Sequence, residues 1–298
     1  YEAMKFALST NIKNVQFNDF HYIVTSNSRR VLGSLIADYS SGIHCFTLVG
    51  TYGTGKSSFL AALERDLLLN TKSFFENKGQ FNDYKKFQTL NIVGDYNTLA
   101  NLLSDELESN STNVKEFFSR LEQKLIEHKK KKEFLLFVID EFGKILEHAA
   151  NHNPEKELYF LQQLAEFVNH PKHDNVILIT TLHQSFGAYS KKLSEQQRNE
   201  WEKVKGRFKE IVFNEPVEQL LYLAAAQIEK SSKKNVSGKN FDALFNLAKR
   251  TKFINNDLSI SVAEKLYPLD IFSAVILTYA IQRYGQNERS LFSFLNSK

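Results

Sequence analysis

The stretch His44-Cys45-Phe46-Thr47-Leu48-Val49-Gly50-Thr51-Tyr52-Gly53-Thr54-Gly55-Lys56-Ser57-Ser58 constrains this chain more than any other. An apolar run of strand length leads into a glycine loop, and a helical pattern begins at Ser57. Gly50-x-x-x-x-Gly55-Lys56-Ser57 fits the phosphate-binding loop, or Walker A motif. Glycines reach backbone conformations closed to other residues, so successive N–H groups can turn inward around an anion. The helix that follows offers the positive end of its dipole to the same anion. Lys56 has the reach for the outer phosphates, and the Ser57 hydroxyl is a hard oxygen ligand for Mg²⁺. The spacing marks Gly50, Thr51, Tyr52, Gly53, Thr54, Gly55, Lys56, Ser57 and Ser58 as candidates for phosphate binding.

The rest of the chain supplies a setting for that loop. Apolar runs of strand length recur at about 44–49, 87–93, 134–139, 175–181 and 208–213. Helical spacing falls at about 26–40, 56–69, 96–107, 114–131, 158–168 and 190–204. Such alternation predicts an α/β fold, with a parallel five-stranded sheet covered by helices on both faces. After Glu215-Pro216 the character changes. Residues 217–229, 240–250, 268–284 and 288–296 all read as helices, with a polar loop from Ser231 to Lys239. The expected division is an α/β core over 1–215 and a smaller all-helical domain over 216–298. Phe17, Phe20, Tyr22, Ile23 and Val24 cluster before the first helix, and ordinary packing is the simpler reading of them than adenine stacking.

Composition narrows the function classes. At 298 residues the chain can bury a good core, and 42% hydrophobic with 24% charged residues fits a soluble globular protein. A net charge of +4 argues neither for nor against nucleic acid. The one cysteine, Cys45, has no internal partner, so a reducing, cytoplasmic setting is expected. No apolar run is long enough to span a membrane and the start lacks a signal-peptide pattern, so no membrane partner is expected. The run Lys129-Lys130-Lys131-Lys132 reads as a solvated helix end, where the dipole favours cations.

Chemistry gathers at the ends of the apolar runs. Asp140 and Glu141 follow Phe134–Ile139, and ligands of open parallel sheets sit beyond the carboxyl ends of the strands. If that strand neighbours the one before the glycine loop, Asp140 faces the nucleotide's magnesium and Glu141 is placed to activate water. Val176–Ile179 ends in Thr180 and Thr181, either of which has a hydroxyl for the water or the terminal phosphate. His183 follows, and as a metal ligand it lacks a partner at ligand spacing. Arg207, in Gly206-Arg207-Phe208 at the start of the last strand, is placed to reach a neighbouring subunit's nucleotide. Arg289 lies in the first turn of the last helix, where a cation opposes the dipole, which hints at an anionic partner.

This order of motifs resembles the AAA+ ATPases over most of the chain, from about residue 20 to the end. Gly50–Ser57 matches Walker A and Ile139-Asp140-Glu141 matches Walker B. Thr180/Thr181 falls at the sensor-1 position, with threonine where many members have asparagine. Gly206-Arg207-Phe208 resembles the arginine-finger segment. Gly285 to Leu295 resembles the sensor-2 segment of a helical lid, as in the clamp-loader and origin-recognition branches, with Arg289 in the arginine's place and one extra residue of spacing. Gly-Thr-Tyr-Gly-Thr-Gly-Lys and Gln-Asn-Glu-Arg-Ser-Leu-Phe also resemble bacterial ATPases of phage-defence loci. The resemblance implies ATP and Mg²⁺ as ligands, Ser57 and Asp140 on the metal, and Glu141, Lys56, Arg207 and Thr181 in hydrolysis. It further implies Arg289 on the nucleotide and a homo-oligomer joined through the trans arginine. An ATP-dependent switch with little turnover and a DNA-loading ATPase are the alternatives.

Overall fold

A computed structural model describes residues 22–69, 86–106, 114–191, 193–214, 239–254 and 258–284, with shorter pieces at 12–14, 74–75, 81, 84 and within 217–228. In chain order the main elements are α1 (Ser26–Ser40), β1 (Cys45–Val49), α2 (Lys56–Leu68), β2 (Lys86–Val93), α3 (Leu99–Glu106) and α4 (Val114–Lys130). There follow β3 (Glu133–Asp140), α5 (Phe142–Asn151), α6 (Pro154–Val168), β4 (Val176–Leu182), a 3-10 turn (Phe186–Ser190), α7 (Glu195–Lys205) and β5 (Lys209–Val212). Then come α8 (Lys239–Arg250), α9 (Ile260–Lys265) and α10 (Ile271–Tyr284). The expected helix 288–296 lies outside the described residues, and the described part of 217–229 is helical.

The sheet is five-stranded and wholly parallel, in the order β2-β3-β4-β1-β5. Strand alternation divides its core into two layers. Phe46, Leu48, Phe134, Leu136, Val138, Ile177 and Ile179 pack with Val31 and Leu35 of α1 and Phe59, Leu60 and Leu63 of α2. Cys45, Leu135, Phe137, Ile139, Val176 and Leu178 pack with the helices on the other face, among them Phe142 of α5, Leu161 of α6 and Trp201 of α7. Cys45 is fully buried, as a small hydrophobe would be. Tyr22 packs against Phe74 and Phe75, with ring centroids 5.8 and 5.9 Å away, while Phe17 and Phe20 lie outside the described residues.

Local chemistry sets several helix starts. Thr25 and Ser28 form a reciprocal capping box on α1, at 3.0 and 2.9 Å. Ser194 and Gln197 do the same for α7. Asn153 caps α6 ahead of Pro154 at its first position. The described residues fall into two compact units: one holds those up to Gly50 and from Lys56 to Phe213, and the other holds Thr51–Gly55 with those from Asn214 on. The second has its own core, built on Leu220, Leu221, Phe245, Ala248, Leu258, Ile271 and Val275. Among the described residues, no helix is long and apolar enough to cross a membrane.

Candidate functional site

β1 and β3 are not neighbours, so the adjacency conditionally expected from sequence is corrected: β4 lies between them. The tips of β1, β4 and β3 therefore bring Gly50, Thr181 and the Asp140–Glu141 pair together in a row. Two-residue alternation puts Thr181 and Asp140 on the face that α2 covers, in step with Ile179 and Val138. Thr181 Oγ1 donates to Asp140 Oδ1 at 2.6 Å and accepts the Glu141 N–H at 2.9 Å. Thr180 faces the opposite layer, where its hydroxyl lies 2.9 Å from Thr47 Oγ1 and donates to Phe46 O at 3.2 Å. Of the two threonines, Thr181 meets the Asp140 carboxylate and the Glu141 backbone.

Gly53 and Gly55 hold φ values of 73° and 89°, the left-handed region that favours glycine, and Thr54 Oγ1 donates to Thr51 O at 2.8 Å. Lys56 opens α2, with Ser57 and Ser58 half-buried in its first turn. Lys56 Nζ donates to Gly50 O at 2.5 Å. Burial pushes this ammonium down to about 8, against the opposing pull of Asp140 and Glu141. A cation held with so little water is poised to gain from an incoming polyanion.

Glu141 occupies the left-handed region at φ 53°, ψ 35°, a conformation that costs about 1–3 kcal/mol in a residue with a side chain. It is the single-residue joint between β3 and α5. Its side chain is about half exposed and meets Lys144 Nζ at 2.5 Å. Asp140 behind it is only 5% exposed.

Gly94, which sequence reasoning passed over, fixes that joint from the side. Its N–H donates to Asp140 O at 2.7 Å, and an added Cβ would stand 2.3 Å from Glu141 O and 2.8 Å from Glu141 C. Both obstacles are backbone and cannot swing away. Gly94→Ala is therefore expected to cost about 1–3 kcal/mol, as overpacking does, and to displace the Asp140–Glu141 peptide. A thermal melt against the native chain checks it, and an unchanged midpoint would dismiss the contact. Gly143 plays a similar part beneath Tyr189, whose Oη would lie 2.3 Å from an added Cβ. The sequence signal was present in both cases, as glycines within a few residues of the strand tips, but the atoms they make room for are distant in the chain.

Arg207 lies beside the edge strand β5, as expected. Its guanidinium is engaged within the chain: Nε and Nη2 donate to Glu166 Oε1 at 3.0 and 2.5 Å, and Nη1 donates to Lys203 O at 2.6 Å. Arg289 lies outside the described residues. In the basic run, Lys129 pairs with Asp174 at 2.7 Å and Lys131 with Glu127 at 2.6 Å, at the end of α4 as expected of a solvated helix terminus.

A parallel sheet with a glycine loop at one strand tip and an Asp-Glu pair two strands away defines a P-loop ATPase domain of the αβα type. The chain belongs to the ATPase family associated with various cellular activities (AAA), whose profile matches residues 46–205. Among solved structures, it is similar to C. elegans PCH-2 at 15% identity and TM-score 0.45, over 94% of this chain and 70% of that one. It is also similar to the ORC2 protein of Aeropyrum pernix in its ADPNP–ADP complexes, at 13% identity and TM-score 0.45, over 86% and 72% of the two chains. No curated protein sequence matched. Family membership carries nucleotide binding; at these scores the two structures add nothing on activity.

Proposed function

We propose that this chain is an Mg²⁺-dependent ATP hydrolase in which residues 1–215 form the nucleotide core and 216–298 a helical lid. The observation that supports it most is the hydrogen-bonded set of Asp140, Glu141 and Thr181 at adjacent strand tips, whose carboxylates act on the charge of the desolvated Lys56 at the start of α2. Gly50 to Ser58 wrap the phosphates and Lys56 neutralises their charge. The residues present fit a magnesium ion: Ser57 and Asp140 are hard oxygen donors. Asp140 Oδ1 is already taken by Thr181 and the Glu141 N–H, which orients the carboxylate and leaves Oδ2 for the ion's coordination shell. Mg²⁺, when bound, supplies charge neutralisation across the outer phosphates. Glu141 takes a proton from the attacking water, and Thr181 keeps the Asp140–Glu141 peptide in register. Arg289 reaches the nucleotide from the lid.

Arg207 acts in trans on the next subunit of a homo-oligomer. For that, its bond to Glu166 must open. The pair is partly exposed, a class worth only about 0–1 kcal/mol, so assembly can open it. The test is the mass of the Glu141→Gln chain in solution with and without ATP and Mg²⁺, with phosphate release measured for Arg207→Ala in the native background. ATP-driven assembly, together with an Arg207→Ala chain that binds ATP but hydrolyses it at least about tenfold more slowly, is the expected result. A loaded chain that stays monomeric would remove the trans role.

A second reading, an ATP-dependent switch with slow turnover, is favoured by the Glu141–Lys144 and Arg207–Glu166 pairs, which both hold hydrolytic groups in local contacts. It predicts ATP binding and lid closure without assembly. A DNA-loading role has less support, since Lys129, Lys131 and Lys172 are each matched by a carboxylate.

A further inference from the structure

One more polar group is built into the same end of the sheet. His183 comes directly after β4, and the carbonyl of Leu182 before it accepts the Gly50 N–H at 3.0 Å. The imidazole thus springs from backbone pinned to the start of the glycine loop. Its ring is held in place. Tyr189 Oη lies 3.0 Å from His183 Nδ1, and the two rings meet edge to face at 82°, with centroids 5.6 Å apart. Tyr189 is itself buried in the turn Phe186–Ser190, which is anchored where Trp201 Nε1 donates to Phe186 O at 3.0 Å. Space for the tyrosine hydroxyl exists because residue 143 has no side chain. A Cβ there would lie 2.3 Å from Tyr189 Oη and 3.3 Å from His183 Nδ1. Gly143 stands two residues after Glu141, so α5 carries the base and the seat for this histidine in one turn.

The charged groups that act on His183 are Glu147 and Glu141, which favour its protonated form, and Lys56, which opposes it. Lys56 and Glu141 both act on the ring's charge, so it stands at the same end of the sheet as the phosphate lysine and the water-activating carboxylate. Burial lowers its pKa, with Lys56 adding to the effect against the two glutamates, so the ring is neutral near pH 7. A neutral imidazole that accepts from a tyrosine hydroxyl on Nδ1 carries its proton on Nε2.

We propose that His183 is a catalytic residue of this site, whose Nε2–H donates a hydrogen bond to the terminal phosphate of the bound nucleoside triphosphate, with Tyr189 and Gly143 as its positioning residues. This rests on the ATPase reading above. Catalysis of phosphoryl transfer is mostly charge stabilisation by prearranged donors, and a donor fixed by a buried hydroxyl needs no reorganisation when charge builds on the phosphoryl oxygens.

The test compares His183→Ala, His183→Gln and Tyr189→Phe with the native chain, by single-turnover phosphate release and by equilibrium binding of a fluorescent ADP analogue. His183→Ala is expected to lower the rate about 10²-fold at unchanged ADP affinity and melting midpoint. His183→Gln puts an amide N–H at a reach similar to that of Nε2 and is expected to recover most of the loss. Tyr189→Phe removes only the ring's anchor and is expected to slow the rate about fivefold. Native turnover in His183→Ala would overturn the proposal. So would a rate that falls together with ADP affinity and melting midpoint, with glutamine no better than alanine, because a packing role alone gives that pattern. Absence of turnover in the native chain would overturn the hydrolysis reading and this inference with it.

Discussion

The Glu141→Gln chain is expected to bind ATP with native affinity and to hydrolyse it at least about 10²-fold more slowly, the usual worth of a general base. Glutamine keeps the length and shape of the side chain, so the left-handed joint between β3 and α5 is undisturbed. Asp140 and Thr181 retain their hydrogen bond, and the Lys56 ammonium keeps Asp140 as a counter-charge. What disappears is the proton acceptor and the contact with Lys144. That contact joins two half-exposed groups and is worth at most about 1 kcal/mol, too little to unfold the chain. Binding of a fluorescent ATP analogue and single-turnover phosphate release separate the two effects. Turnover at the native rate would take Glu141 out of the mechanism, and lost binding would show that it serves the nucleotide rather than the water.

Lys56→Ala is expected to act on the other half of the cycle. A charge-assisted hydrogen bond to a phosphate contributes about 1.5–3 kcal/mol, so ATP affinity should fall by roughly one to two orders of magnitude. Without nucleotide the opposite sign is expected. The native ammonium is desolvated, with its pKa pushed down to about 8, so its removal relieves a burial penalty and the apo melting midpoint should hold or rise. The upward shift of the midpoint on adding ATP, which follows from mass action, should shrink or vanish. Two melting curves per variant, with and without ATP and Mg²⁺, test both signs together. A Lys56→Ala chain that keeps the full ATP-induced shift would refute the phosphate role.

The strands were legible because a strand covered on both faces must be apolar throughout. Phe134–Ile139 and Val176–Ile179 have that pattern, and each lies within an observed strand. Their lateral order was not legible. It depends on where each crossover lands, and nothing within β1 or β3 says that β4 will come between them. α5 was missed for a local reason. Its N-cap is Glu141 in a left-handed conformation with no capping hydrogen bond, and its second residue is glycine, so the usual start signals are missing. Which of Thr180 and Thr181 faces Asp140 waited on strand phase, which follows from the neighbouring Ile179 and Val138 once the sheet is known. Gly94 and Tyr189 were passed over because their worth lies in atoms far along the chain. His183 was weighed only as a metal ligand, and the buried tyrosine that aims its ring comes from the turn beyond it.

Thr180 and Thr181 stand back to back on β4, one hydroxyl tied toward β1 and the other to β3. The three central strands are thereby tied together by side chains on both faces of the sheet. A sheet tied in this way has little give at its centre. The two exits from these strands, Glu141 into α5 and the turn after Leu182, are held as well, the first against Gly94 and the second through Trp201. A displacement at this end of the sheet would therefore be passed to α5 and the Phe186–Ser190 turn as the movement of whole elements, with the strands as a fixed anvil beneath them.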